Sequence, residues 1–482
     1  MLQFLTVLYV LCAVLLSFYA LGQVVLLIAY LRHRHETVST PKLTRFPTVA
    51  IQLPIYNERY VVERLLTAVA NLDYPRDRLT VQVLDDSTDE TSDLVARLVT
   101  ALQQSGLDIQ HMRRGSRAGY KAGALHYGLS LLDTEYVAVL DADFVPPPPF
   151  LRQTIPHLVA NPALGMVQGR WGHLNWRGNL LTMGQALALD GHFIVEQMGR
   201  NRSGWLINFN GSGGVWRTEA IRDAGGWTDD TLTEDLDLSY RAQLKGWQFL
   251  YVPSVVVPGE LPPELSAYKQ QQARWAKGGT QCMAMLIGRL WQSRRLSLAQ
   301  RIMATMHLCQ YLNAPLMILL VLLTPPLMLL TGMEGMPLGP LGLAGLAPPL
   351  VYAVSQHALY SDWKRRFMSF PALMAIGTGL AWNNTQAVIE GLTRKKGEFK
   401  RTPKYAVNSL LQNTYRLRGD SSLLIEGALS IYAFWGAWIA LRFYPTLVPY
   451  LLIYGFSFGI VALLGLNEML RAWRLQHAQA LG

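Results

Sequence analysis

The sequence predicts an α/β domain of the doubly wound, Rossmann-like type, combined with an α-helical membrane bundle of about five spans and one helix lying at the membrane surface. Three observations carry this. Short apolar strands alternate with helical segments between residues 45 and 290. Long uncharged runs flank that region on both sides. Charged residues make up 16% of the chain, well below the roughly 25% of an ordinary soluble protein.

The N-terminal run, residues 3 to 30, contains no charged side chain and is followed at once by Arg32-His33-Arg34-His35. A cleavable signal peptide has a basic start and a shorter apolar core, so residues 1–31 read as a retained membrane anchor with a cytoplasmic sequel. Two further spans are expected in 304–356 and two in 422–466, with 467–482 as a cytoplasmic tail. The segment 371–390 is apolar but carries Trp382, Asn383, Asn384, Gln386 and Glu390, which lipid would leave unsatisfied. It reads as an interfacial helix, opening a 371–410 unit. With that choice Lys364-Arg365-Arg366, the basic run 394–404 and Arg471/Arg474 all fall on the cytoplasmic side.

Within 45–290, strand 48–53 runs into Pro54 and helix 58–70 places Val61, Leu65, Leu66 and Val69 on one face. Strand 79–84 ends in Asp85-Asp86-Ser87, helix 91–104 follows, and strand 136–140 ends in Asp141. In a doubly wound sheet ligands bind beyond the carboxyl ends of the strands, and both acidic clusters stand there. The net charge of +10 sits largely beside apolar runs, where it meets anionic lipid. No nucleic-acid module or zinc-ligand spacing is present, so a nucleic-acid polymer is not expected as a partner. Cys12, Cys282 and Cys309 are odd in number and read as free thiols.

Asp141 and Asp143, one residue apart, point the same way in an extended chain and suit a hard divalent cation, Mg²⁺ or Mn²⁺; a solvated turn ahead of Pro146 is the competing reading. Asp85 and Asp86 suit a nucleobase N–H or a ribose hydroxyl, against a simple turn capped by Ser87. Lys121 opens a small-residue helix, near which phosphate would be held; a Gly-flanked loop with a solvated lysine is the competing reading. Glu234-Asp235 precedes helix 236–245, where acidic residues also occur for capping alone. Gln271, Arg274 and Trp275 share a helical face through i,i+3 and i,i+4 spacing, and that face offers an amide, a guanidinium and a flat ring.

In this order, Asp85-Asp86, Asp141-Ala142-Asp143, Thr233-Glu234-Asp235 and Gln271-x-x-Arg274-Trp275 resemble the membrane-embedded family 2 glycosyltransferases, inverting enzymes of the GT-A fold that include cellulose, chitin and hyaluronan synthases. The runs Gln52-Leu53-Pro54-Ile55-Tyr56-Asn57-Glu58, Tyr120-Lys121-Ala122-Gly123-Ala124-Leu125, Phe209-Asn210-Gly211 and Phe399-Lys400-Arg401-Thr402-Pro403-Lys404 narrow the resemblance to the cellulose-synthase-like mannan and glucan synthases. Thr233 stands where some plant relatives have Val, and Arg401-Thr402-Pro403-Lys404 departs from the Val-Thr-x-Lys of bacterial cellulose synthase.

The resemblance implies a nucleoside diphospho-sugar donor, UDP-glucose or GDP-mannose, held by Asp85, Asp86, Lys121, Asp141, Gln271 and Arg274. It implies a metal on Asp141 and Asp143, a general base at Asp235 beside Glu234, and an acceptor sugar stacked on Trp275. A loop containing Phe399, Arg401, Thr402 and Lys404 would close over the donor. The implied activity is processive synthesis of a β-linked glucan or mannan and its passage through the bundle. Transfer to a lipid acceptor is the alternative, and an inactive transport or scaffold protein is less favoured because every expected catalytic residue is present.

Overall fold

A computed structural model describes residues 2–330, 333, 345–393 and 422–480. The positions Phe399, Arg401, Thr402 and Lys404 lie outside the described residues.

Seven strands form one sheet: β1 Val49–Ile55, β2 Leu79–Asp85, β3 Asp108–Arg113, β4 Tyr136–Val139, β5 Leu164–His173, β6 Gly214–Arg217 and β7 Gln248–Gly259, in the order β3-β2-β1-β4-β6-β5-β7. β1, β2, β3 and β4 run parallel. The sheet is nevertheless mixed, because β6 is antiparallel to both β4 and β5. β1 alternates strictly: Val49, Ile51, Leu53 and Ile55 face a core built with helices Val62–Ala70, Thr91–Gln104 and Phe150–Ala160, while Ala50 faces the opposite core. Pro54 is tolerated near the end of this central strand because β4 pairs only with residues 49–52.

The second face carries helix Tyr120–Ser130, and its seating is decided by polar groups. Gln52 and Gln82, both buried on adjacent strands, are hydrogen-bonded to each other at 3.0 Å. Gln82 also donates to the Gly128 carbonyl at 3.2 Å, so the sheet grips the helix backbone. A Cβ on Gly128 would lie 2.7 Å from Gln82 Oε1, and only glycine permits this approach. Lys121, in the first turn, is thereby fixed above the strand ends.

Four helical segments are long and apolar enough to cross a bilayer among the described residues: Leu2–His33, Gln310–Leu330, Ser422–Phe443 and Pro445–Arg474. Large apolar side chains such as Phe4, Leu424, Ile431 and Leu463 are exposed on their outer surfaces, as lipid contact requires. The chain is therefore a membrane protein. Of the expected fifth span, the described part is helix Ala347–Leu359, 13 residues or about 20 Å long, short of a hydrocarbon core of roughly 30 Å. Its Val351 packs into the second core, and Tyr352 fills the space above Gly191.

The 371–390 segment folds as two helices, Phe370–Gly379 and Ala381–Leu392. Its polar residues meet protein: Asn383 donates to the Lys269 carbonyl at 3.1 Å, and Glu390 pairs with Lys277 at 2.9 Å. Cys12, Cys282 and Cys309 are free thiols.

Candidate functional site

The largest concentration of the predicted polar residues lines one cavity at the carboxyl ends of β1, β2 and β4, where β1 has neighbours reached by crossovers on either side. Asp86, Lys121, Asp141, Asp143, Glu234, Asp235, Gln271, Arg274 and Trp275 all border it.

One end is aromatic and charged. The Arg117 guanidinium lies 3.4 Å above the Tyr56 ring and 4.9 Å from that of Tyr120, a flat surface of the kind a nucleobase stacks on. Asp86 borders the cavity and is held by two bonds from Arg114, at 2.9 and 2.5 Å. Asp85 does not border it. Its carboxylate turns into the fold, accepting from the Ser87 N–H at 2.8 Å and meeting His111 at 2.8 Å. Burial works to raise its pKa, but these hydrogen bonds prevail and hold it at about 2. Of the two neighbouring carboxylates, one shapes the turn and the other faces the cavity.

The centre is an ion cluster. Lys121 Nζ lies 2.6 Å from Asp141 and 3.5 Å from Glu234, and donates to the Gly211 carbonyl at 2.8 Å. Burial alone would lower the lysine pKa, yet the charges of Asp141 and Glu234 raise it above the ordinary value. Gly119 and Tyr120, just before it, both have positive φ, 69° and 48°. A left-handed tyrosine is uncommon, and such backbone strain concentrates at functional sites.

Asp235 sits in the first turn of helix Glu234–Lys245 and accepts the Leu236 N–H at 2.8 Å. Burial, then the adjacent Glu234 charge, push its carboxyl up to about 7, with Lys121 acting in the opposite sense. A carboxylate with that pKa, aimed into a cavity, has the basicity wanted of a general base near neutrality. Its neighbour across the gap is backbone: a Cβ on Gly211 would stand 2.9 Å from Asp235 Oδ2, and Gly211 has φ +82°.

The far wall is helix Leu265–Gln292, which presents Gln271, Arg274 and Trp275 to the cavity. It reaches the Thr233-Glu234-Asp235 segment so closely that a Cβ on Gly278 would be 2.6 to 2.8 Å from the Thr233 side chain and backbone nitrogen. Gly278→Ala is therefore expected to lower activity by about tenfold or more, since sub-ångström displacement of a catalytic group is costly. Expression and membrane insertion should persist, and unchanged turnover in the purified variant would show that the two segments yield without consequence.

The roles of several contributors were not stated by the linear pattern. Gly211 and Gly278 act through what a side chain would strike, although a Gly-Gly pair inside a helical run at 278–279 is a signal of close packing. His173 borders the cavity and is held at 3.1 Å by buried Asp190, which also accepts from Gln356 at 2.8 Å. An aspartate in the apolar run 180–191 was the available clue. Glu260, paired with Arg64 at 2.8 Å, borders the cavity beside Asp143 with no motif to announce it.

Residues 47–278 match the glycosyltransferase like family 2. The chain is 41% identical over 295 residues to glucomannan 4-beta-mannosyltransferase 1 of Cyamopsis tetragonoloba, covering 59% of this chain and 56% of that one. It is 46% identical over 237 residues to probable glucomannan 4-beta-mannosyltransferase 3 of Oryza sativa subsp. japonica, covering 48% and 43%. The chain thus spans about half the length of the curated relatives it matches. Among solved structures, mannosyltransferase PcManGT from Pyrobaculum calidifontis, in complex with GDP-Man and Mn²⁺, aligns with a TM-score of 0.52 at 21% identity. That alignment covers 81% of this chain and 100% of the other and shows a shared fold. The matched segment contains the whole sheet and every cavity residue from Pro54 to Trp275, and over this segment the chain is similar to the glycosyltransferase like family 2.

Proposed function

We propose that the protein is a processive inverting glycosyltransferase. It polymerises a β-linked mannan or glucan from a nucleoside diphospho-sugar at the cytoplasmic face and passes it through its membrane bundle. The observation that carries this is the placement of Asp235 between two chemically different walls: the Lys121, Asp141 and Asp143 side, suited to diphosphate, and the Gln271, Arg274 and Trp275 helix. GDP-mannose is the favoured donor, given the mannosyltransferase relatives.

In this reading the nucleobase lies against Tyr56 and Arg117, with Asp86 at its polar edge. Lys121 and Arg274 neutralise the diphosphate. Asp235 Oδ2 takes the proton of the acceptor hydroxyl as that oxygen attacks the anomeric carbon opposite the departing diphosphate. Trp275 offers its ring to the apolar face of the acceptor sugar. Glu234, paired with Lys121, adds the negative charge that keeps Asp235 basic.

Asp141 and Asp143 fit a divalent cation: both border the cavity at a strand end. Among the described residues no group of three or more His, Cys, Asp or Glu side chains is placed to hold a metal alone. Mg²⁺ and Mn²⁺ suit such an incomplete set, since substrate phosphates and water can complete the shell. When bound, the cation supplies charge neutralisation on the leaving diphosphate, so a second, acidic carboxyl has no task. Orientation follows the basic flanks, with Arg32, Arg34, Lys364 to Arg366, Arg471 and Arg474 facing the cytoplasm. Phe399, Arg401, Thr402 and Lys404 are assigned to closure over the donor, on the sequence resemblance alone.

Membranes containing the protein, supplied separately with radiolabelled GDP-mannose, UDP-glucose and UDP-GlcNAc, test the reading. The expected product is a polymer, labelled from GDP-mannose above the others and degraded by β-mannanase. Label confined to the lipid extract would replace polymerisation with lipid glycosylation, and absence of transfer from every donor would overturn the proposal.

A further inference from the structure

Helix Leu265–Gln292 has one side on the cavity and the other on the C-terminal helices, and its attachment there is made by charge. Its first two N–H groups, Leu265 and Ser266, donate to Glu468, at 2.6 and 3.1 Å. Glu468 belongs to the last membrane helix, Val448–Ala480, and its carboxylate stands where a helix N-terminus favours an anion. One turn further, Lys269 Nζ lies 2.7 and 2.9 Å from the two oxygens of Glu426 and 3.0 Å from Ser422 Oγ. Lys269 is 5% exposed and Glu426 fully buried on helix Ser422–Phe443. Two turns beyond, Lys277, also buried, pairs with Glu390 of helix Ala381–Leu392, whose Gly391 lies against the Lys277 carbonyl. Lys269, Ala273 and Lys277 follow each other at i,i+4, one row on one face.

Stability gives no reason for the buried Lys269–Glu426 pair, whereas Glu390 in the pair with Lys277 is half-exposed. A buried ion pair can often be replaced by apolar residues with no loss of stability, whereas a charge left without its partner is costly. An ionisable group in a membrane helix is rare for the same reason and is a marker of function. What an ion pair supplies is register, because sliding the helix by one turn breaks every contact at once. Resting on the functional reading above, we propose that Glu468, Glu426 and Glu390, acting on the Leu265 and Ser266 N–H groups, Lys269 and Lys277, form a three-carboxylate clamp that positions Arg274 and Trp275 against Asp235. These are positioning residues, through which the membrane helices fix where the acceptor sugar meets the base.

The test is the partition of the activated sugar. Full-length protein in nanodiscs is given GDP-mannose, and mannose released to water is compared with mannose transferred to acceptor. In Lys269→Met/Glu426→Leu, which removes charge and keeps apolar packing, the water-to-acceptor ratio should rise about tenfold and transfer fall about tenfold, with thermal stability unchanged or higher. Glu468→Ala should move the ratio in the same direction. Lys269→Arg, which keeps the pair, should keep the wild-type ratio. Normal partition in both the Met/Leu variant and Glu468→Ala would overturn the clamp. If the unsubstituted enzyme transfers no sugar at all, the functional reading fails, and the clamp with it.

Discussion

Asp235→Asn is expected to lower sugar transfer by about 10² to 10⁴, the usual loss when a general base is removed, while GDP binds as before. The amide can still accept the Leu236 N–H bond, so the local helix start should survive. Two further readouts follow from a carboxyl raised from 3.8 to about 7. The base acts only when ionised, so kcat/KM should fall tenfold per pH unit below about 7, and this acid limb should vanish in the Asn variant. For stability the sign is opposite. The unfolded chain loses this proton near 3.8 and the folded chain near 7, so the folded state binds more protons in that window and loses stability as pH rises through it. Above pH 7 the neutral amide should therefore raise the thermal midpoint of the ligand-free protein, a gain in stability at the expense of activity. Turnover above a tenth of wild type, or an acid limb that persists in Asp235→Asn, would remove Asp235 from the role of base.

Chelation should have an effect of comparable size. Stabilisation of a leaving diphosphate by a cation is worth several kcal/mol, which corresponds to a rate loss of about 10³ or more on treatment with EDTA. Mn²⁺ or Mg²⁺ should restore activity. Asp143→Ala should behave as the chelated enzyme and lose the metal dependence of GDP binding. Asp143 is 7% exposed, so circular dichroism and thermal melting must show the variant folded before its rate is compared. Undiminished transfer by the chelated wild type would separate Asp141 and Asp143 from any metal and leave the diphosphate to Lys121 and Arg274.

Much of this architecture is written in residue order because its physics is local. The apolar strand 48–53 and the helical spacing of Val61, Leu65, Leu66 and Val69 follow from which side chains must leave water. The uncharged run at the N-terminus is legible by the same rule, since a bilayer leaves no partner for charge. Glu390 and Asn383 are polar groups in an apolar run, and what receives them is the helix of Lys269 and Lys277, a contact across more than a hundred residues. The antiparallel placement of β6 was equally hidden. Gly214–Arg217 is a short apolar strand whose direction depends on the neighbours it meets.

At the site, sequence by itself determined the chemical inventory: acidic pairs at strand ends, a lysine opening a helix, and an amide, guanidinium and indole sharing a helical face. Residue type sets which charges and rings are available, and periodicity sets which can share an element. Tertiary structure alone decided how they are used. Adjacent Asp85 and Asp86 diverge because one meets His111 inside the fold and the other Arg114 at the cavity edge. Asp235 becomes a group titrating near neutrality because packing brings burial and the field of Glu234 together at one carboxylate. Gly211 and Gly278 matter because of atoms from distant segments that a methyl group would strike. Pairing, desolvation and exclusion depend on distances in space, which residue order does not contain.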